Sequence, residues 1–259
     1  MRNRLIRVLL VAAMLSVCGT DPFAQRLARV DAGNRGVADN VQPEPPAFNS
    51  AVEPKPLDWH YWRQRHKQLA RQAAEIDPPI LFLGDSITEN WSQAGSAVWN
   101  EHFAPLGAVN FGIAADRTQS LRWRIREGRY DRMDPKLVVL LIGTNNLKEE
   151  RNTPDDTVAG IFAAIDDCMA AFAHAKILLL AVLPCMESPE NPHATGAVEV
   201  NRALAKIKMH ERVHLIDPSD EFTDSKGRID ARLLPDYLHP NEAGYRRLAK
   251  IVLPIVATP

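Results

Sequence analysis

From Ile80 onward, short runs rich in Val, Ile and Leu alternate with longer segments that repeat at helical spacing. The runs are Ile80–Leu83, Ala108–Phe111, Leu137–Ile142, Ile177–Leu183 and Val213–Ile216. Strands this apolar are buried on both faces, as in a parallel sheet, and parallel neighbours need crossovers long enough to hold a helix. The segments between them qualify. Val158, Ile161, Phe162, Ile165, Met169 and Phe172 form one face of a long helix, and Leu248, Ile251, Val252 and Ile255 one face of the last. This alternation predicts an α/β fold, a three-layer α/β/α sandwich on a five-stranded parallel sheet with right-handed crossovers. At 259 residues, 46% of them hydrophobic, the chain has enough apolar mass for one sizeable core.

Before the first strand, Trp59, Trp62, His66, Leu69, Ala73 and Ile76 repeat as an amphipathic helix that Pro78 and Pro79 end. His66 reads there as a packed residue and not as a ligand. Residues 25–57 carry Pro43, Pro45, Pro46, Pro54 and Pro56 without a sustained apolar period, which predicts a spacer. Arg2, Arg4 and Arg7 precede the apolar run Val8 to Val17, too short to span a bilayer, so residues 1–24 read as an export signal. Leu15-Ser16-Val17-Cys18 resembles the lipobox of bacterial lipoproteins, with Cys18 carrying the lipid. Cleavage after Gly19 or Ala24 is the competing route. Both export the protein from a bacterial cytoplasm, to the periplasm or beyond, and leave residues 58–259 as the working domain. A lipid on Cys18 would be its one tie to a membrane.

The formal net charge of −1 provides no field for a nucleic-acid backbone. Arg122, Arg124, Arg126, Arg129 and Arg132 interleave with Glu127 and Asp131, a pattern that reads as a solvated helix face. Cys168 and Cys185 read as two buried free thiols.

In an open parallel sheet, functional groups gather beyond the carboxyl ends of the strands. Gly84-Asp85-Ser86, Gly112 to Asp116, Gly143-Thr144-Asn145-Asn146 and Pro184 to Thr195 fall at such ends. Asp236 and His239 stand just before the last helix, with Pro240 placed for its first turn. A spacing of three across a loop-to-helix junction can bring the carboxylate to one imidazole nitrogen and leave the other to face Ser86 Oγ. Each motif also has a plain structural use. Ser86 could cap a helix, Asn145 could order its own turn, Asp236 and His239 could start a helix, and Asp85 holds the turn around Ser86.

Taken together, Gly84-Asp85-Ser86, Asn110-Phe111-Gly112-Ile113, Gly143-Thr144-Asn145-Asn146 and Asp236-x-x-His239 resemble the motifs of the SGNH or GDSL hydrolases. Within that family they are most similar to the catalytic subunits of intracellular platelet-activating-factor acetylhydrolase and their bacterial relatives. The resemblance runs from about Trp59 to the C-terminus and implies a flavodoxin-like sheet. It implies Ser86 as nucleophile, His239 as general base and Asp236 as its orienting carboxylate. The oxyanion donors it implies are the Ser86 N–H, the Asn145 side-chain amide and a third N–H. The family places a glycine at that third position, and this chain has Ala115, before Asp116. No metal or organic cofactor is implied.

Two other readings compete. A metal-dependent phosphoesterase needs Asp-x-His after its first strand, but Asp58-Trp59-His60 opens a helix instead, and Gly-Asn-His is absent. A silent carbohydrate-binding module would leave the triad without a use. Gly-x-Ser-x-Gly is also missing, because Thr88 stands two residues after Ser86. The rim loops Leu147 to Pro154 and Pro184 to Thr195 are mostly polar and lack an apolar lid, which points to short acyl groups such as acetyl esters on sugars. His193 lies in the second of them, where it could line the cleft.

Overall fold

The protein is described by a computed structural model over residues 49–148 and 152–256. The export signal, Cys18 and most of the Pro-rich stretch lie outside the described residues. The strands Ile80–Gly84 (β1), Ala108–Gly112 (β2), Leu137–Leu141 (β3), Lys176–Leu180 (β4) and Val213–Ile216 (β5) are all parallel, in the order β2-β1-β3-β4-β5. The chain leaves β1 toward β2 on one side and later reaches β3 on the other. A crevice therefore opens between the carboxyl ends of β1 and β3, at the point where the strand order reverses.

The α-helices are His60–Ala73 (α1), Ser86–Glu89 (α2), Ser96–His102 (α3), Thr118–Glu127 (α4), Thr144–Lys148 (α5), Pro154–Ala171 (α6), Pro192–Lys206 (α7) and Glu242–Val256 (α8). They cover both faces of the sheet. Leu81, Leu83, Val138, Leu140, Ile177 and Leu179 point to one face, against Trp62, Leu69, Ile125, Ile161 and Val200. Their strand neighbours Ile80, Phe82, Leu137, Val139, Leu178 and Leu180 point to the other, against Trp91, Val98, Phe103, Leu248 and Val252. Alternate residues of a strand face opposite ways, so only a two-sided core makes such uninterrupted apolar runs useful. Each fully buried Leu, Ile, Val or Phe contributes about 1.5–3 kcal/mol. Cys168 and Cys185 are both buried and free, and burial pushes the Cys185 thiol up to about 11.

Four boundaries or surfaces differ from expectation. The strand expected to run to Leu183 ends at Leu180, opposite the last residue of β5, Ile216. Past that point the Asn201 side chain takes the place of a strand: its Oδ1 accepts from Val182 N–H (3.0 Å) and its Nδ2 donates to Val182 O (2.8 Å). The Pro-rich stretch is not spacer to its end. Ala51 is fully buried, its carbonyl accepts from Thr118 Oγ1 (2.8 Å), and Lys55 N–H donates to Gln119 O (3.1 Å). Pro240 lies outside α8, because Asn241 caps that helix through Gly244 N–H (3.0 Å) and Glu242 is its first residue.

The fourth difference is the largest. The arginines of α4 do not form a solvated face. Arg124 shares a side with Leu121 and Ile125 and is fully buried. Arg122 lies against Asp167 (2.6 Å), both nearly buried, and Arg126 approaches the same carboxylate from solvent (2.7 Å).

Candidate active site

Two glycines let the rim of the sheet close up. A Cβ on Gly84 would lie 2.2 Å from Leu141 O, and one on Gly112 would lie 2.3 Å from Glu89 N. With neither present, α2 packs directly on the ends of β1 and β2. Asp85 caps α2, its Oδ1 accepting from Ile87 N–H (2.9 Å). It is buried, which pushes its carboxyl up to about 7 against the pull of that N–H, with the nearby Asp116 charge adding to the rise. Asp85 thus holds the turn, as expected, and Ser86 opens the helix beside it.

Ser86 Oγ lies 2.9 Å from His239 Nε2, and His239 Nδ1 lies 2.7 Å from Asp236 Oδ2. The carboxylate can only accept at Nδ1, so the neutral imidazole carries its proton there and presents a lone pair to the Ser86 hydroxyl. Asp236 Oδ1 also accepts from the backbone N–H of His239 (2.7 Å) and of Leu238 (3.1 Å). Burial works to raise the Asp236 carboxyl, but those hydrogen bonds and the imidazole outweigh it and hold it below the usual range. Tyr237 takes a left-handed φ of 57°, which folds the three-residue loop back on itself, and its carbonyl accepts from Met186 N–H (2.8 Å). Tyr245 of α8 donates to Ile87 O (2.7 Å), linking the helix that follows His239 to the helix that carries Ser86.

The second half of the site is the loop after β2. Ala115 adopts φ 64°, the left-handed region where alanine is strained and glycine is not. Its N–H makes no hydrogen bond among the described residues. The flanking residues are tied. Ala114 N–H donates to Glu89 Oε2 (2.6 Å), Asp116 N–H donates to Ile113 O (3.2 Å), and Asn145 Nδ2 donates to Asp116 O (2.9 Å). Asn145 therefore does more than order its own turn, since it joins the rim of β3 to the rim of β2. Its second amide hydrogen makes no hydrogen bond among the described residues.

Behind this loop the Asp116 carboxylate meets Trp62 Nε1–H (2.6 Å) and Arg124 Nη2 (2.6 Å), with both charged side chains fully buried. Burial pushes the Asp116 carboxyl above the usual carboxylate range, against the pull of Arg124 and Trp62. Arg124 also donates to Phe111 O (2.9 Å), Tyr130 Oη (3.1 Å) and Gly84 O (3.3 Å), collecting the carbonyl ends of β1 and β2.

The structure thus brings Ser86, His239, Asp236, Ala115 and Asn145 to one rim. His193 is a residue of α7 and not of the preceding loop; its Nδ1 lies 3.0 Å from Leu147 O, bridging two rim segments. His66 is a packed residue, stacked on Trp62 at 5.6 Å. Sequence reasoning missed Arg124, Glu89 and Asn146. The spacing of Arg124 to Leu121 and Ile125 puts it on the apolar side of α4 but does not name the partner that lets it stay there. Asn146 is fully buried and bonds Thr118, Gln119 and Asn152, a role that no local pattern announces. Asn110, part of a matching motif, donates to Thr88 O (2.8 Å) and Glu89 O (3.2 Å), closing the end of α2. Among the described residues, no three His, Cys, Asp or Glu side chains gather to hold a metal ion.

Residues 82–247 match the GDSL-like lipase/acylhydrolase family. The chain is 33% identical over 191 residues to the human platelet-activating factor acetylhydrolase IB subunit alpha2, covering 73% of this chain and 80% of that one. Among solved structures, a GDSL-like lipase from Bacteroides thetaiotaomicron superposes with a TM-score of 0.61 at 21% identity, over 74% of this chain and 97% of that one. The acetylxylan esterase Axe2 from Geobacillus stearothermophilus superposes with a TM-score of 0.56 at 20% identity, over 70% and 95%. The chain belongs to the GDSL-like lipase/acylhydrolase family. It is a hydrolase with the SGNH fold.

Proposed function

We propose that the protein is a serine esterase that cleaves short-chain carboxylic esters, acetyl esters of carbohydrates foremost, through an acyl-enzyme. The observation that carries this reading is the continuous line Ser86 Oγ, His239 Nε2, His239 Nδ1, Asp236 Oδ2, with contacts of 2.9 and 2.7 Å. Ser86 Oγ attacks the ester carbonyl as its proton passes to His239 Nε2. The imidazolium then returns that proton to the leaving alcohol, leaving the acyl group on Ser86. Water attacks the acyl carbon next, giving its proton to His239, and the acid departs as Ser86 Oγ–H is restored. Asp236 holds the tautomer and stabilises the imidazolium. The negative oxygen formed in both halves is met by the N–H groups of Ser86 and Ala115 and by the Asn145 amide.

The substrate side rests on shape. The His239 side chain is 31% exposed and that of Asp236 55%, so the pair stands at an open rim, without the enclosure that long acyl chains favour. Two of the relatives above are named for acetyl esters, which agrees with a small acyl group. Export, with a lipid on Cys18 or with cleavage after Gly19 or Ala24, would place such an activity outside the cytoplasm, facing small or polymeric acetylated carbohydrates and not nucleic acid. The test is a panel of p-nitrophenyl esters of rising chain length beside acetylated sugars, with Ser86→Ala and EDTA as controls. Activity should be highest on acetyl esters, survive EDTA and vanish in Ser86→Ala. A preference for chains of eight carbons or more would overturn the substrate reading. Loss to EDTA restored by a divalent metal would overturn the serine mechanism.

A further inference from the structure

The backbone donors proposed for the oxyanion sit on different elements, Ser86 on α2 and Ala115 on the loop after β2. Their separation must be fixed for both to reach one oxygen, because preorganised donors act only when they need not move during the reaction. Glu89 is the last residue of α2, with its N–H donating to Asp85 O (2.9 Å), so it belongs to the same helical turn as Ser86. Its side chain leaves that turn and accepts from Ala114 N–H at 2.6 Å, one residue before Ala115. The other carboxylate oxygen receives the Tyr61 hydroxyl, and Arg65 Nε stands 3.7 Å away. Glu89 is 5% exposed. A carboxylate in so little water is costly unless each oxygen is paired, and here the pairing runs between the helix of the nucleophile and the loop of the second donor.

We infer that Glu89 is a positioning residue for the oxyanion hole: it orients the 113–114 peptide and so holds Ala115, in its left-handed conformation, with its N–H toward the oxyanion. The inference rests on the proposed serine mechanism and deepens it. Alanine at φ 64° departs from its preferred conformations, and such a residue persists only where its surroundings over-determine it. The surroundings do so on both sides. Glu89 fixes residue 114, while Asn145, Trp62 and Arg124 fix residue 116. Most of these ties reach the loop from α1, α4 or α5; Glu89 alone among those named starts on the helix of the nucleophile. A carboxylate suits the place because it accepts from both Ala114 N–H and Tyr61. Glutamine could still accept from Ala114 through its carbonyl oxygen while its amide donates to the Tyr61 oxygen.

The test measures kcat and KM on p-nitrophenyl acetate for wild type, Glu89→Ala, Glu89→Gln and Glu89→Ala/Ala115→Gly. Each rate is normalised to active sites titrated with a fluorophosphonate, so unfolded protein does not count. Glu89→Ala should lower kcat by about 10–100-fold, the scale of a donor displaced by about 1 Å, with KM within about twofold. Glu89→Gln should recover most of that loss. The double variant should be faster than Glu89→Ala, since glycine holds φ 64° without help. A titratable Glu89→Ala enzyme with wild-type kcat, or a loss confined to KM, would overturn the inference. So would a double variant no faster than the single one. A wild-type rate in Ser86→Ala would instead overturn the serine mechanism itself, and the two failures are read from different proteins.

Discussion

Asp236 and His239 lie three residues apart on one loop, and the Asp236 side chain is more than half exposed. Asp116 and Arg124 are wholly buried and draw on Trp62, Gly84, Phe111 and Tyr130 for their partners. The proposed acid–base half of the site is thus a local device held by its own backbone turn. The proposed oxyanion half is a construction in which at least six separate segments converge. The contrast follows from the two tasks. A base must exchange protons with substrate and water, so it needs access. Donors to a developing charge need fixed positions and low dielectric, so they need an embedded support.

The strongest way to break this comparison is at the residue shared by both halves. Ser86→Ala should lower kcat by roughly 10³-fold or more while the melting temperature stays near wild type, because the hydroxyl lost is partly exposed and has one partner. Residual turnover near the wild-type rate in a folded variant would end the assignment.

Next in size is the buried support. Arg124→Ala leaves the buried Asp116 charge without its counter-ion and takes the guanidinium from the Gly84 and Phe111 carbonyls, and should cost about 3–5 kcal/mol of stability. Urea melts would show this, and an unchanged midpoint would mean that the guanidinium is not the hub it is described as. The same substitution on a solvated helix face would cost almost nothing, so this measurement also tests the correction to the sequence reading.

Asn145→Ala removes one donor outright and should lower kcat by about 10²–10³-fold, or roughly 2.7–4 kcal/mol. Asp236→Asn should cost no more, about 10²-fold, the lower end for acid–base catalysis, because at an exposed rim water can replace part of what the carboxylate does. If Asp236→Asn proved the more damaging of the two, the local half would not be the tolerant one.

The smallest expected effect is on stability against pH, where two buried groups oppose each other. Burial, joined by Arg124 and Arg63, lowers His66 from 6.5 to about 4, so the fold holds the neutral ring; its contribution is present above 6.5 and is lost as pH falls toward 4. Asp85 is raised to about 7, so between about 4 and 7 the fold binds a proton that the unfolded chain has released. Stability from Asp85 therefore falls as pH rises through that window. In melting curves from pH 4 to 8, His66→Phe should lose acid sensitivity. Asp85→Asn, which keeps the cap to Ile87, should gain on wild type toward pH 8. Parallel curves for all three proteins would contradict both assignments.

The difference between the halves also explains what was readable. Ser86, Asp236 and His239 could be singled out from Gly84-Asp85-Ser86 and Asp236-x-x-His239 because a strand end and a three-residue turn are local events. The strands were readable for a related reason: a run such as Leu137-Val138-Val139-Leu140-Leu141 is useful only with apolar layers on both sides. Arg124 was misread because charge interleaving looks the same whether a helix face meets water or a carboxylate.

By itself, then, the amino-acid order determined the layer architecture, the five strands and the pairing of Asp236 with His239, since each depends on periodicity or on neighbours a few residues apart. Tertiary structure alone decided the rest: that Arg124 turns inward to Asp116, that Glu89 reaches Ala114 across 25 residues, and that Ala115 is held left-handed with its N–H unpaired among the described residues. Burial and long-range hydrogen bonding outweigh the solvation preference of a charged side chain only when a fitting partner is present, and the partner's place is a property of the folded chain.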